Sequence, residues 1–376
     1  MVFLASVAAV LAQFAAPPLM PLLMARFGID LAQASSLMSV FSVTGFLLAL
    51  PTGLLLTRFG PLAIGVLALA SVVAGSCLGA VAPDYAVLLA SRGIQGVGLG
   101  LIGVTAPSVV AAAFPPARRG LPMGVWAMWV PVGGVVMYNV APVLGSTAGW
   151  QAAWWFAASA AAVALAAYAI VLRTCLPDAP ARAGDPAPSM GTALRNRDAW
   201  LLAATFGLFA VASSGINTFL PTFLVDQRSL DLAGAARLSS LVLVGAAAGS
   251  LLSGFVSDRI GSRRVVFTAA AVGLAVLLLF PFSLGTGSLA ILLVLIGLVS
   301  GALPAAVFAS VPEVMGDPRL AGAGMAAVMF GQNGGFVVGP LAFGALVTVT
   351  TWTTAGAVLG GVSLAGAAVG WRARVR

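Results

Sequence analysis

Long apolar runs alternate with short polar breaks along the whole chain. Twelve runs are long enough to be read as membrane-crossing helices: 2–25, 32–56, 62–82, 85–113, 120–145, 150–172, 199–224, 233–257, 264–283, 287–313, 321–348 and 351–371. A helix needs about 20 apolar residues to cross about 30 Å of hydrocarbon. The first run has no positive segment ahead of it and stays apolar nearly to Arg26. It is therefore read as a span and not as a cleaved leader. It begins almost at Met1, so a short tail ahead of it is expected. The longest polar stretch, 174–198, is rich in Pro, Ala and Arg. Its composition and central position predict a linker between an N-terminal six-helix bundle, 1–173, and a C-terminal one, 199–376.

Composition agrees with that pattern. The chain of 376 residues is 61% hydrophobic and 7% charged, with mean hydropathy +1.09. An ordinary soluble domain is about 25% charged. So few charges cannot cover a water-facing surface, which excludes a soluble enzyme, a nucleic-acid binder and a disordered chain. A polytopic all-α membrane protein remains. The net charge of +8 comes from arginine alone. With the N-terminus in the cytoplasm, the inner loops and tail hold Arg58, Arg118, Arg119, Arg173, Arg182, Arg195, Arg197, Arg259, Arg263, Arg264, Arg319, Arg372, Arg374 and Arg376. The outer side holds Arg26, Arg228 and Arg237. This bias predicts both termini in the cytoplasm of a bacterial cell, with the chain in its inner membrane. Trp150, Trp154, Trp155 and Trp352 then fall near the outer boundary, where amphipathic rings are at home. There is no histidine and no CxxC pair, and Cys77 and Cys175 stand far apart. No metal or other cofactor is expected.

The two halves echo each other at a nearly constant offset. Asp30-Leu31-Ala32 answers to Asp231-Leu232-Ala233, Gly53, Arg58 and Gly60 to Gly254, Arg259 and Gly261, and Gly133-Gly134 to Gly334-Gly335. Trp150 answers to Trp352, one residue off, and four matches in the same order suggest a duplicated six-helix unit. Parallel repeats with the substrate site between them are one known transporter plan.

The loop after the eighth run reads Gly254-Phe-Val-Ser-Asp258-Arg259-Ile-Gly261-Ser-Arg263-Arg264. It resembles the G-x-x-x-D-R-x-G-R-[KR] signature of the major facilitator superfamily. The first-half copy, Gly53 to Pro61, carries Thr57 for the acid and Pro61 for the basic residue. In the family this loop is a latch that governs opening and closing. That resemblance assigns gating roles to Gly53, Arg58, Gly60, Gly254, Asp258, Arg259, Gly261 and Arg263. Glycine suits tight helix ends, and arginine can bond helix ends or lipid phosphate. In the fourth run, Arg92-Gly-Ile-Gln95-Gly96-Val-Gly98 resembles the family's R-x-x-Q-G-x-G motif. Pro131-Val-Gly133-Gly134 is similar to a shortened fifth-helix glycine-proline motif, read here as helix packing. The stretch Gly96–Trp126 resembles bacterial cyanate and nitroimidazole porters and small organic-anion carriers. The implied fold is twelve helices in two six-helix bundles.

Arg92 lies about seven residues, or roughly 10 Å, inside the fourth run. A charge at the centre of a span costs about 2.5–3.5 kcal/mol on insertion scales, so it faces a cavity or a partner. The functional reading is a counter-charge for an anionic substrate or a coupled proton. The structural reading is an arginine capped by carbonyls and Gln95. No Asp or Glu lies deep in a run, which disfavours a cationic substrate. Further substrate-binding candidates are Gln95 beside Arg92, Gln13 and Phe14, Trp126, Trp129, Tyr138 and Asn139, Asn217, and Gln332 and Asn333. Amides can hydrogen-bond a solute and Trp can wall a cavity. Pro17, Pro18, Pro21 and Pro221 are expected to bend helices that rock.

These features predict a monomeric secondary transporter, not an enzyme, working by alternating access. Its partners are the lipid bilayer and a small solute, anionic or polar. A coupled proton stays open, and so does symport against antiport. No ATP-binding loop of the G-x-x-x-x-G-K-[ST] type is present. Efflux of drugs or hydrophobic compounds is the alternative within transport. A transporter-like membrane sensor is the alternative of another class.

Overall fold

A computed structural model describes residues 1–114, 122, 125, 126, 128–175, 195–316 and 320–375. The linker core 176–194, the first residues of the fifth run, Arg118, Arg119, Arg182, Arg319 and Arg376 lie outside the described residues, as do the side chains at Gly53, Thr57 and Asp258.

The described secondary structure is helical. The helices are α1 (Val2–Gln13), α2 (Met20–Phe27), α3 (Leu31–Ala80), α4 (Tyr85–Ala113), α5 (Trp129–Ala148) and α6 (Gln151–Cys175). They continue as α7 (Arg197–Arg228), α8 (Leu232–Ile260), α9 (Arg263–Leu277), α10 (Thr286–Met315), α11 (Ala321–Val349) and α12 (Trp352–Trp371). The first expected span is split into α1 and α2 by a short turn at Pro17–Leu19. The second and third are joined in α3 across non-helical Gly60. Among the described residues, eleven segments are long and apolar enough to cross a membrane. The ninth run falls short: α9 has 15 residues, about 22 Å at 1.5 Å each. Pro281 stops it. Proline offers no N–H and pushes the residue before it out of the helical region, so Leu278 to Leu284 are turns.

The repeat positions have physical jobs. Asp30 and Asp231 both cap a helix N-terminus, accepting from the Gln33 N–H at 2.6 Å and the Gly234 N–H at 3.2 Å. Each satisfies a donor that the helix itself leaves open. Gly60 and Gly261 both have positive φ, +75° and +72°, which glycine adopts without steric cost. Gly254 does not share this reason. It lies within α8 with open space around it, so it is no tight helix end, contrary to the motif-based expectation.

Elsewhere glycine sets helix spacing. A Cβ added at Gly96 would lie 1.9 Å from the Phe41 carbonyl oxygen, and one at Gly98 would lie 2.5 Å from that of Ala68. The fourth-helix motif therefore fits α4 against both limbs of α3. Gly245 and Gly249 of α8 face Gly297 and Gly301 of α10 in the same backbone-to-backbone manner. Small residues four apart allow such approach in membranes.

Buried apolar side chains form two clusters. One runs from Ala5 to Leu172 and includes Leu243 of α8. The other runs from Ala199 to Val375. Leu243 joins the first because it sits on Gly134. Trp155 is exposed at the end where a boundary ring was expected, but Trp154 is fully buried. Its ring lies against Gly79, so it is an internal packing residue and not an interfacial one.

Candidate functional site

A cavity of about 150 Å³ lies between residues of both clusters. The α1–α2 break contributes Gln13 and Phe14, and α3 contributes Met38 and Ser42. Trp126, Trp129 and Pro131 stand at the start of α5. The other wall is built from Ser213, Ser214, Asn217 and Thr218 of α7, Leu243 and Ser250 of α8, Ser300 and Pro304 of α10, and Met329, Gln332 and Phe336 of α11. A small annex of about 30 Å³ shares Gln13, Trp129 and Gln332 and adds Asn333 and α4 residues such as Gly103. No charged side chain lines either space among the described residues.

Proline chemistry shapes this site. Pro17 has no N–H to give the Gln13 carbonyl, and Pro18 has none for Phe14, so α1 ends there. The open α1 terminus carries partial negative charge. Arg92 meets it from α4. Its Nη1 donates to the Ala12 carbonyl at 2.6 Å and to Gln95 Oε1 at 2.7 Å, and its Nη2 donates to the Gln13 carbonyl at 2.8 Å. Nε donates to the Leu37 carbonyl at 3.0 Å, and Nη2 also contacts Met38 Sδ at 3.6 Å. The guanidinium stands 4.5 Å from the Phe41 ring centroid. Each of its five N–H groups thus has an acceptor. Gln95 passes the link on, donating to Ser76 Oγ at 2.9 Å.

Arg92 is 0% exposed and, with Gln95, is not part of the cavity wall. Both were expected to bind the solute; in the structure neither is among the lining residues. The guanidinium is spent on the broken helix, one residue behind the wall, where Gln13 and Met38 stand between it and the cavity. The other predicted binding residues, Gln13, Phe14, Trp126, Trp129, Asn217 and Gln332, do line it. Trp126 and Trp129 stack with ring centroids 5.6 Å apart, and Trp126 Nε1 donates to Ser6 Oγ at 3.0 Å. Pro221 frees the Asn217 carbonyl as Pro17 frees that of Gln13. Tyr138 of α5 donates its hydroxyl to that carbonyl, linking the two clusters. Asn139 instead bonds within its own helix, to the Val135 carbonyl at 2.8 Å.

Sequence reasoning missed the hydroxyl wall: Ser213, Ser214, Thr218 and Ser300. One signal was present. Gln13, Asn217 and Ser300 each stand four residues before a proline, in the first, seventh and tenth spans.

Of the motif residues, Arg263 donates to the Ala309 carbonyl at 2.6 Å and lies 3.6 Å from Glu313. It ties the loop to the end of α10. Arg58 and Arg259 are exposed and lie over their neighbouring rings, Phe59 and Phe255, at 5.2 and 5.6 Å.

The helix count, the paired clusters and the loop motif define a polytopic transporter fold. A family model described as Major Facilitator Superfamily matches residues 2–248 and 229–376. The chain belongs to that superfamily; it is a membrane transporter and not an enzyme. Among curated relatives, the probable sulfoacetate transporter SauU of Cupriavidus necator is 27% identical, with 92% of this chain and 86% of that protein aligned. The cyanate transport protein CynX of Escherichia coli is 28% identical over 68% of this chain and 66% of its own length. The MFS-type transporter YcnB of Bacillus subtilis is 34% identical over 35% of this chain. The chain spans only 26% of that protein's length.

Proposed function

We propose that this protein is a secondary transporter of a small organic anion, which it carries by alternating access through the cavity between two bundles. The bundles are residues 1–173 and 199–376, joined by the 174–198 linker, with both termini in the cytoplasm of a bacterial cell. The single observation behind this reading is a small, uncharged, hydrogen-bonding cavity with one buried cation immediately behind its wall. Among the described residues no carboxylate neutralises Arg92, whose contacts are carbonyls, an amide, a thioether and a ring. Neutral amides and hydroxyls can then donate to an anion while the guanidinium supplies a favourable potential at short range, where little water screens it. Size supports the same reading. Sites for drug-sized ligands measure about 300–1,000 Å³, larger than the 150 Å³ found here. The names of two relatives, for sulfoacetate and for cyanate, point to small anions as well. The transporter works as a monomer, driven by a solute gradient or by exchange, with a proton as the candidate coupled ion. The Arg263–Glu313 end of α10 is its gating latch.

Thermal stability of the purified protein tests the substrate class, because a ligand that binds the native state raises it. Small sulfonates and carboxylates are expected to raise the melting temperature in a saturable way. Size-matched lipophilic amines are expected to leave it unchanged. The reverse pattern would replace this reading with efflux of hydrophobic cations, for which the aromatic wall would be the binding surface.

A further inference from the structure

Among the described wall residues, Ser300 carries the one hydroxyl whose oxygen is both fully buried and unpartnered. It is 8% exposed, lines the cavity, and its Oγ has no hydrogen-bond partner among the described residues. Ser42 and Ser250, by contrast, are occupied: they donate to the Met38 carbonyl at 3.2 Å and the Gly301 carbonyl at 3.1 Å. A buried hydroxyl without a partner carries an uncompensated desolvation cost.

The main chain at the same position is also open. Pro304 has no N–H for the Ser300 carbonyl. That carbonyl points along the helix toward position 304, and Ser300, Gly301 and Pro304 all belong to the wall. The corresponding carbonyls of Gln13 and Asn217 are taken by Arg92 and Tyr138. No described side chain donates to that of Ser300. The neighbouring Gly301 carbonyl is already held by Ser250. So one unpartnered hydroxyl stands on the same turn of α10 as a carbonyl that lacks its usual main-chain donor.

The turn is firmly held. A Cβ at Gly301 would lie 1.9 Å from the Ala246 carbonyl oxygen, and one at Gly297 would lie 2.1 Å from that of Val242. Backbone packing this close fixes α10 against α8, and rigid support is what a binding group needs.

We infer that Ser300 is a substrate-binding residue: its hydroxyl and its proline-freed carbonyl together hold a hydroxyl group of the solute. The solute hydroxyl donates to the carbonyl and accepts from Oγ. The substrate class is then a small hydroxylated organic anion, and this part rests on the anion reading above.

The test uses two matched pairs of probes in thermal-shift titrations of the full chain. One pair is 2-hydroxyethanesulfonate and ethanesulfonate; the other, uncharged, is 2-hydroxyacetamide and acetamide. Wild type is expected to prefer the hydroxylated member about tenfold, since a site built for a hydroxyl rejects the analogue that lacks it. Ser300→Ala is expected to bring the preference below about twofold while ethanesulfonate still binds as in wild type. Ser300→Thr, which keeps the hydroxyl, is expected to retain the preference. Equal preference in wild type and Ser300→Ala would overturn the Ser300 assignment. A Ser300-dependent preference within the amide pair, with no binding of either sulfonate, would overturn the anion reading and leave the assignment standing. No shift with any probe would overturn both.

Discussion

Arg92→Ala is expected to unfold the N-terminal helices at a temperature on the order of 10 °C below wild type. The reason is an acceptor count. Without the guanidinium, the Gln13 carbonyl and Gln95 Oε1 lose their donor in a buried setting, and the Ala12 and Leu37 carbonyls keep only main-chain donors. Each unsatisfied buried group costs about 1–3 kcal/mol, and breaking a buried charged network costs about 3–5 kcal/mol. Arg92→Lys is expected to recover little. An ammonium has three donors on a flexible stem and cannot replace the planar fork that reaches α1, α3 and Gln95 together. Differential scanning fluorimetry in detergent reads both variants. An Arg92→Ala protein as stable as wild type would show that the guanidinium does not hold α1, α3 and Gln95 together, against the geometry described above.

Gln332→Glu is the second large effect. Gln332 lines both the main cavity and its annex, and the exchange preserves shape. A carboxylate about 5 Å from a bound anion, at an effective dielectric constant of about 20, repels it by about 3 kcal/mol. The dissociation constant for a small sulfonate is therefore expected to rise on the order of 100-fold. Protein yield is expected to stay near that of wild type. Isothermal titration measures this. Unchanged anion affinity would place the solute away from α11.

The spans and the fold family were legible because they rest on composition and on short motifs. Asp30 and Asp231 are readable as helix starts, and Gly60 and Gly261 as chain reversals, because local backbone chemistry decides them. The amide and aromatic wall residues were legible as polar or bulky positions inside apolar runs. The role of Arg92 was not. Burial required a partner, but the sequence does not say whether that partner is a solute or main chain. Two of its acceptors are helix-end carbonyls on α1 some 80 residues away, Ala12 and Gln13, the second of them freed by Pro17. Ser300 was passed over because serine is common in membrane helices. Its distinction is an oxygen that is buried without a partner, which only packing reveals. The shortness of α9 was missed because the run stays apolar through Pro281, where hydropathy continues but the helix does not.

Counterflow in proteoliposomes puts the central claim to the most direct test. Vesicles loaded with an unlabelled small hydroxylated sulfonate, and diluted into its labelled form, are expected to accumulate label transiently and saturably. Gln332→Glu vesicles are expected to accumulate almost none. If wild-type vesicles take up no labelled anion, yet show saturable counterflow of a lipophilic amine, then an uncharged cavity backed by a buried arginine does not select anions and the account is wrong.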